Sequence, residues 1–257
     1  MKSFDVQVRG AGVVGRCLAL ALAREGLRVA LRPAPPRAEA DEDGEDVRAY
    51  ALNPASVELL RGLKVWDALP AHAATAVLDM HVRGDAPAAA IDFSAWQACV
   101  GALAWITDTA VLEGELAAAL RFAPHVTLID PSADDVQAPL TALCEGQGST
   151  ARSAHGVSFD RVEYGHRAIA ARLTSDRPHR GLARQWFGAP DVLALLPFDA
   201  PQPQRSYALV WSVPEARAAE LLALDAAAFE AELMRASGGE AGTLALASAR
   251  AAWPLAR

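Results

Sequence analysis

The chain opens with apolar and polar positions that alternate like a strand, then repeat like a helix, then alternate again. Residues 4–9 place every second side chain on one face, as a short strand does. Residues 13–24 are apolar around most of the helical circumference, which is typical of a helix packed on a sheet. Gly26 ends this helix, and residues 27–31 predict a second strand. The pattern therefore predicts a strand–turn–helix–strand unit at the N-terminus.

Later elements of the first half follow from the same kind of pattern. Residues 33–47 hold three prolines and six acids and predict a solvated loop. Asn53 then caps a helix whose first residue is Pro54. Short apolar runs and a longer periodic one predict strands at 76–82, 88–93, 102–106, 125–130 and 140–146, and a helix at 109–121.

From residue 157 onward the chain changes character. Apolar runs separated by turn residues predict an antiparallel meander with strands at 157–165, 166–175, 181–187, 192–198 and 206–214. Two helices rich in alanine and leucine and a last strand are predicted at 215–224, 226–236 and about 244–252. The fold class is therefore mixed α/β, with a Rossmann-like lobe followed by a lobe of mainly antiparallel sheet flanked by helices. We expect residues 1–76 and 102–156 in the first lobe, and 77–101 and 157–257 in the second.

Composition narrows the classes of function. The net charge of −7 argues against nucleic acid as a partner. No apolar run is long enough for a membrane helix, because Arg16, Arg24 and Arg28 interrupt the one candidate. The three cysteines are far apart, which predicts buried thiols in a reducing cytoplasm. Paired carboxylates, a nucleophile with a base and metal-ligand spacings are all missing, so we assign no catalytic and no metal-binding residue.

Three glycines between the first strand and the first helix carry the clearest chemical signal. Gly10 allows the tight turn, Gly12 lets backbone amides approach a pyrophosphate, and Gly15 lets the helix pack closely on the strand. The amides of Val13 and Val14 would then meet the anion at the positive end of the helix. The spacing predicts a dinucleotide site, with a purely structural glycine turn as the alternative.

Arg32 occupies the end of the second strand, where a ribose-binding acid is usual in such sites. An arginine cannot accept hydrogen bonds from ribose hydroxyls. It can pair with the 2′-phosphate of NADP, or it can be a substitution in a flavin site. The motif alone leaves both interpretations open.

The rest of the sequence resembles the UbiH/UbiF/VisC group of ubiquinone-biosynthesis hydroxylases. The stretches that carry the resemblance, in the family's order, are "RAYALNPASVELLRGLKVWDAL", "ALAWITDTAVLEGEL", "LCEGQGSTAR", "YGHRAIAARLTSDRPHRGLARQWF", "VLALLPF", "YALVWSVP" and "WPL". The group shares the fold of p-hydroxybenzoate hydroxylase and consists of FAD-dependent monooxygenases. The resemblance covers essentially the whole chain and favours a flavin site over NADP at Arg32.

The resemblance implies roles for particular residues. Gly10, Gly12 and Gly15 would hold the FAD pyrophosphate, and the first lobe would be an FAD-binding lobe. Arg48 would lie along the cofactor near the same phosphates, with a solvated arginine as the alternative. Glu145 and Gly146 stand where the family has Asp-Gly, with an ordinary strand-end acid as the alternative for Glu145.

Aromatic residues and one histidine of the second lobe have two interpretations each. Trp186, Phe187, Trp211 and Trp253 are either core residues or walls of an aromatic pocket, and the core interpretation is favoured. His179, in "RPH", is either a catalytic histidine or a turn residue, and the turn interpretation is favoured because no serine or aspartate partner stands at a suitable position.

The resemblance also implies an activity. The family reduces FAD with NAD(P)H and hydroxylates an aromatic ring through C4a-hydroperoxyflavin. The substrate class is a small aromatic, in this group a prenylated phenol of ubiquinone biosynthesis. Such a substrate requires peripheral contact with the inner membrane by an otherwise cytoplasmic protein.

One family feature is missing from this sequence. Relatives continue past "WPL" into a Gly-Asp motif with Ala-Ala-His and then a Pro-rich glycine turn, whereas this sequence ends at Arg257. We therefore expect a C-terminally truncated member with weakened or absent FAD binding, no hydroxylation, and an uncovered apolar face that favours a homodimer. An NADP-dependent Rossmann oxidoreductase and a non-catalytic fragment remain as alternatives.

Overall fold

The structure, a computed structural model, describes residues 3–33, 46–86, 88–133, 136–146 and 149–256. The helices are α1 (Val13–Arg24), α2 (Pro54–Gly62), α3 (Thr109–Arg121), α4 (Thr150–Ala154), α5 (Glu215–Ala223) and α6 (Ala226–Ser237). The first nine strands are β1 (Val6–Arg9), β2 (Val29–Arg32), β3 (Ala49–Leu52), β4 (Ala74–Val77), β5 (Asp79–Arg83), β6 (Ala90–Ser94), β7 (Ala104–Asp108), β8 (Val126–Leu128) and β9 (Leu140–Leu143). The last six are β10 (Glu163–Ser175), β11 (Leu182–Gly188), β12 (Asp191–Phe198), β13 (Ser206–Pro214), β14 (Leu244–Leu246) and β15 (Ala251–Ala256).

The chain forms two compact units. The first contains Met1–Asp43, Val57–Leu69 and Val111–Asp160, and the second contains Gly44–Ser56, Pro70–Ala110 and Arg161–Arg257. Segments 44–56, 70–76 and 102–110, which the sequence prediction assigned to the first lobe, belong to the second unit. The predicted loop at 33–47 lies mostly outside the described residues, since these omit 34–45.

The first unit is built on a parallel sheet with the strand order β8-β2-β1-β9. By their order in the chain, these are the third, second, first and fourth strands of the sheet, and 3-2-1-4 is the order of a Rossmann fold. Strand β2 is buried throughout, because the sheet is covered where α1 packs. The helix bounds predicted at 13–24 and 109–121 are confirmed.

The second unit is built on a larger mixed sheet. Its order is β14-β10-β13-β12-β11-β5-β6, with β15 also paired to β10. Strands β11, β12 and β13 follow one another as predicted, but β10 pairs with β13, and β11 pairs in parallel with β5. The strand predicted at 157–165 is wrong, because β10 starts only at Glu163 and continues to Ser175. The last predicted strand is two short strands, β14 and β15.

Helices α5 and α6 cover one face of this mixed sheet. Trp211 and Leu209 of β13 and Ile169 of β10 pack there against Leu221 of α5 and Phe229 of α6. A three-stranded sheet, β3-β7-β4, packs on part of the opposite face, as the contacts that join its residues to β11, β12 and β13 show. The mixed α/β class with a Rossmann-like sheet and a mainly antiparallel sheet is thereby confirmed.

Membrane-spanning helices were sought among the described residues. None of the helices there is both long and apolar enough to cross a bilayer.

Candidate functional site

The carboxyl ends of β1 and β9 lie side by side at the edge of the parallel sheet. The chain leaves β1 toward β2 on one side, and β9 returns on the other side of β1, so the strand order reverses between them. Ligands of open α/β sheets bind at the carboxyl ends of strands at such a reversal. Gly10 directly follows β1, and Cys144 and Glu145 directly follow β9. The glycine turn thus lies at the position where this architecture binds a ligand.

Two of the three glycines are required by sterics. Gly10 has φ +101°, and a Cβ there would lie 2.3 Å from the carbonyl oxygen of Cys144. A Cβ on Gly15 would lie 1.8 Å from the carbonyl oxygen of Gly10. Both positions exclude any side chain because the turn, α1 and the end of β9 approach one another closely.

Gly12 is different, because it faces open space. It is the N-cap of α1 with φ −73° and ψ −177°, and a Cβ there would meet no atom of the described residues within 4 Å. Among the described residues, no side chain caps this helix, and its first turn contains no acid. Val14, in that turn, is exposed. Backbone N–H groups at the start of a helix have no intrahelical partner and carry about half a positive charge. The open end of α1 therefore fits a phosphate or pyrophosphate, and the role of Gly12, Val13 and Val14 in binding one stays a prediction.

Arg32 is buried at the end of β2 and has a structural partner. Its Nη2 donates a hydrogen bond to the carbonyl oxygen of Ala133, in the turn after β8. Its charge also contributes to a lowered pKa of Asp130, whose main cause is the hydrogen bond from Ser132. Arg32 thus anchors the 130–133 turn whether or not a 2′-phosphate binds.

Glu145 is held by two side chains. Its Oε1 lies 3.2 Å from Nε of Arg9, and its Oε2 accepts a 2.6 Å hydrogen bond from Oγ of Ser149. Ser149 in turn accepts a hydrogen bond from the amide of Arg152 and caps α4. Only 7% of the Glu145 side chain is exposed. The contacts of Glu145 in the structure are therefore those of a structural acid at the end of a strand. Gly146, with φ +74°, is exposed.

Arg48 lies in the second unit, directly before β3. Its guanidinium makes a two-point ion pair with Asp46, with distances of 2.8 Å and 2.7 Å. The Arg48 hydrogen bond is the main cause of a lowered pKa of Asp46. The carbonyl oxygen of Arg48 accepts a 2.9 Å hydrogen bond from Nη2 of buried Arg172. Half of the Arg48 side chain is accessible, so the guanidinium is held but reachable.

Strand register divides the candidate pocket aromatics between the two faces of the mixed sheet. Trp186 and Trp211 lie on the helix-covered face, where Trp211 is fully buried, so the core interpretation holds for both. Phe187 and Trp253 lie on the opposite face and are 45% and 38% exposed. The favoured core interpretation is therefore wrong for Phe187 and Trp253.

Phe187 and Trp253 stand at the two ends of one cross-strand row. The row pairs Phe187 with Val192, Ser212, Ala168 and Trp253 in turn. Four strand spacings separate its ends by about 19 Å. The neighbouring row on the same face places Gln185, Ala194, Val210, Ala170 and Ala251 side by side. We call the surface formed by these two rows the sheet trough. It runs from Phe187 and Gln185 on β11 to Trp253 and Ala251 on β15.

His179 lies in the turn between β10 and β11, as predicted, but it is buried and paired. Its Nδ1 accepts a 3.0 Å hydrogen bond from the amide of Gly181, so its Nε2 is the donor to Oδ1 of Asp199, 3.3 Å away. Burial lowers the pKa of His179, and Asp199 partly opposes the effect. The arrangement stabilises the turn and uses both ring nitrogens.

Several residues of these contacts were missed from the sequence. Arg9 could have been identified from the sequence, because it is the last residue before the first glycine of the turn. Arg172 carried a signal as a single charge within the apolar stretch "AIAARLTS". Ser149 also carried a local signal, since it caps α4 and contacts residues only three and four positions away, whereas the contact of Asp199 with His179 spans 20 residues and had none.

Comparison with known proteins agrees with this geometry. No protein-family model matches the chain. The ubiquinone hydroxylase UbiL of Rhodospirillum rubrum is 27% identical over 259 residues, covering 94% of this chain and 59% of that protein. The 3-demethoxyubiquinol 3-hydroxylase of Escherichia coli is 28% identical over 251 residues, covering 90% of this chain and 63% of that protein.

Solved structures share the fold over nearly the full chain. PqsL of Pseudomonas aeruginosa, in complex with 2-aminobenzoylacetate, has a TM-score of 0.74 at 16% identity, covering 99% of this chain and 74% of PqsL. The flavin-dependent monooxygenase PieE, solved with FAD and substrate, has a TM-score of 0.65 at 16% identity, covering 99% of this chain and 50% of PieE.

The chain is therefore similar to the UbiH/UbiL-like FAD-dependent hydroxylases. The resemblance found in the sequence is thereby confirmed. Of the solved structures that share the fold, PieE contains FAD and a substrate, and PqsL contains 2-aminobenzoylacetate. The chain spans about 60% of the length of the curated relatives it matches.

Proposed function

We propose that this chain is the nucleotide-binding and substrate-binding part of an FAD- and NAD(P)H-dependent aromatic hydroxylase. The single observation that carries the proposal is the open, glycine-capped start of α1 at the reversal point of a Rossmann-ordered sheet. The similarity to the ubiquinone hydroxylase UbiL, and the FAD bound in PieE, support FAD as the group that binds there. The names of the matched relatives support a ubiquinone-biosynthesis intermediate as the substrate.

The residues of the glycine turn fit a diphosphate. The free space over Gly12 admits the group, and the first amides of α1, from Val13 and Val14, would donate to its oxygens. From the resemblance we also propose contributions from Arg48 and from the backbone at Glu145 and Gly146. When bound, the flavin would supply the redox chemistry that transfers one oxygen atom to an aromatic ring.

The sheet trough supports an aromatic substrate. Alanine, serine and valine side chains form its floor, so a flat ring can lie close to the sheet. Phe187 and Trp253 would bound the ring and a prenyl tail with apolar surface, and Gln185 would hydrogen-bond a phenol hydroxyl. These residues bind, orient and keep water from the substrate.

The proposed overall reaction balances with these components. One aromatic C–H, one dioxygen, one NAD(P)H and one proton give one aromatic C–OH, one NAD(P)⁺ and one water. NAD(P)H supplies the two electrons that reduce the second oxygen atom to water. We also propose that the protein contacts the surface of a bilayer and that it forms a homodimer.

A single substitution separates the proposed cofactor site from helix stability. Gly12→Asp places a carboxylate where a Cβ meets no atom, at a position where aspartate is a preferred N-cap. We expect the variant to be as stable as the wild type or more so, and to lose FAD binding because the carboxylate caps the helix and repels the diphosphate. The measurement is quenching of flavin fluorescence, titrated up to about millimolar protein because we expect weak binding.

Matched controls make the result decisive. Gly114→Ala, at an exposed position of α3, introduces a Cβ that also meets no atom of the described residues and should leave FAD binding unchanged. Wild-type protein that does not bind FAD at any concentration contradicts the proposal. A thermal shift with NADP and none with FAD would favour the NADP-dependent oxidoreductase, and no shift with either would favour a non-catalytic fragment.

A further inference from the structure

We propose that Arg172 is a positioning residue that fixes the segment carrying Arg48 to the sheet that forms the substrate trough. The proposal rests on the proposed function, in which Arg48 contributes to the cofactor site. Arg172 belongs to β10, and Arg48 directly precedes β3. All contacts used below lie within the second unit.

One nitrogen of Arg172 joins two other elements. Nη2 donates to the carbonyl oxygen of Arg48 at 2.9 Å and lies 3.1 Å from Oδ2 of Asp108, the last residue of β7. The same Arg48 oxygen also accepts a 3.4 Å hydrogen bond from the amide of Thr109. Arg172 therefore bridges β10, the end of β7 and the start of β3 through one guanidinium.

The site of Arg172 favours strong interactions. Only 6% of its side chain is exposed, and the guanidinium lies 4.0 Å from the centre of the Phe198 ring. A charged hydrogen bond is stronger where water is excluded, and the ring face adds a cation–π attraction. The planar guanidinium fixes direction as well as distance, which a lysine does less well.

The contacts of Arg172 act on Arg48 through the backbone. Asp46 holds the Arg48 guanidinium at its tip, and Arg172 holds its carbonyl. The charge of Arg172 also contributes to the lowered pKa of Asp46. Two anchors, one at each end of the residue, limit the positions that the Arg48 cation can take.

The same strand carries the floor of the trough. Ala168, Ala170 and Arg172 alternate along β10 and share the face opposite the helices, since their register partners Ser212, Val210 and Ala208 do. Arg172 touches no proposed ligand itself. It gives the Arg48 segment a fixed place on the strand that supports the substrate.

The test compares Arg172→Met, Arg172→Lys and Arg167→Met. Arg167 is the matched control, because it lies on β10, faces the helix side and also donates to a backbone carbonyl, that of Ala252. Amide hydrogen exchange is measured without cofactor, and FAD affinity is measured by fluorescence. The exchange rates show which backbone amides lose protection when the Arg172 contacts are removed. The FAD affinity shows whether this loss changes cofactor binding.

We expect Arg172→Met to speed exchange of the amides of residues 49–52 and Thr109 by about tenfold or more, with β12 and β13 unchanged, and to raise the FAD dissociation constant about tenfold. Arg172→Lys should restore part of both effects, and Arg167→Met should match the wild type.

Equal exchange in Arg172→Met and wild type, or faster exchange throughout the sheet, overturns the inference. If wild-type protein binds no FAD, the proposed function and the cofactor role of Arg172 fail, while the exchange result still decides whether the anchor exists. If Arg172→Met does not fold, Arg172→Lys alone decides, and wild-type values for it overturn the inference.

Discussion

Arg9 and Glu145 form an ion pair, with 3.2 Å between Nε and Oε1, that ties the carboxyl ends of two adjacent parallel strands. Arg9 ends β1 directly before Gly10, and Glu145 follows β9. The pair therefore links the start of the glycine turn to the end of β9. Ser149 donates a hydrogen bond to the other carboxylate oxygen of Glu145.

Removal of the Glu145 carboxylate should destabilise the first unit. Glu145→Ala leaves the Arg9 charge, which is 23% exposed, without this partner, and we expect a loss of about 2–3 kcal/mol in the free energy of unfolding. Urea denaturation measures it. Glu58→Ala is the control, because the exposed Glu58–Arg61 pair should contribute less than about 1 kcal/mol. Equal losses in both variants would contradict the structural role of Glu145.

Two glycines of the first unit should respond oppositely to alanine. Gly15→Ala places a Cβ 1.8 Å from a carbonyl oxygen, so the turn must move, and we expect at least about 2 kcal/mol of destabilisation. Gly114→Ala adds a Cβ in open space on α3 and should stabilise by about 0.5–1 kcal/mol. Thermal unfolding of both variants checks the signs. A neutral Gly15→Ala would mean that α1 does not pack on the turn as described.

Stability should fall as the pH decreases below about 6.5 because of His179. Burial lowers its pKa from the ordinary value of 6.5, so the unfolded chain binds a proton at a higher pH than the folded chain does. The contribution of His179 is complete above pH 6.5 and is lost as the pH falls from there through the lowered folded pKa. Melting temperatures between pH 7.5 and 5 measure the effect.

His179→Gln removes the titrating ring and keeps a donor for Asp199. We expect this variant to be less stable at pH 7.5 but to show a flatter pH dependence between pH 7.5 and 5. Parallel curves for variant and wild type would show that another group causes the slope.

The three cysteines should differ in reactivity. Burial raises the pKa of Cys17 to about 11 and raises that of Cys144, whereas Cys99 is exposed. A pKa two units higher lowers the thiolate fraction at pH 8 about 100-fold. Timed labelling with iodoacetamide and peptide mass spectrometry should therefore modify Cys99 first and Cys17 last. Early modification of Cys17 would contradict its burial on α1.

The exposed aromatics of the trough should bind ligand without supporting the fold. Phe187→Ser and Trp253→Ser should weaken binding of a soluble alkylphenol at least about fivefold and change stability by less than about 0.5 kcal/mol. Calorimetric titration measures the affinity. Trp96→Ser, which removes an aromatic residue that is 85% exposed, is the control and should leave affinity unchanged. A loss of affinity in Trp96→Ser as large as in the trough variants would place the ligand elsewhere.

Local pattern predicted the elements that depend on neighbours in sequence. The bounds of α1 and α3 followed from periodicity, and Asn53 does cap α2 by accepting from the amide of Ser56. The spacing predicted the glycine turn, and the close approach of Gly15 to Gly10 acts within six residues, whereas the close approach of Gly10 to Cys144 depends on the fold. The pairing of β10 with β13 did not follow, since pairing between distant strands depends on the whole sheet.

Side-chain contacts across the fold limited the prediction of the site. Composition alone made Phe187 and Trp186 equivalent, although alternation along β11 sends them to opposite faces. Only the register with neighbouring strands shows which face is covered by helices. The contact of Glu145 with Arg9 and the bridging contact of Arg172 have no local pattern, because these partners are 136 and 64 or more residues away.

The strict alternation of β10 makes this strand sensitive to changes in length. Insertion or deletion of one residue between Ala168 and Arg172 would rotate every later side chain by half a turn. The guanidinium would then enter the apolar layer beneath α5 and α6, and Leu173 would face the trough. Point substitutions in the floor keep the register of β10 and can be screened for new ligand preferences. A library that varies loop and strand lengths must leave the length of the stretch from Ala168 to Arg172 unchanged.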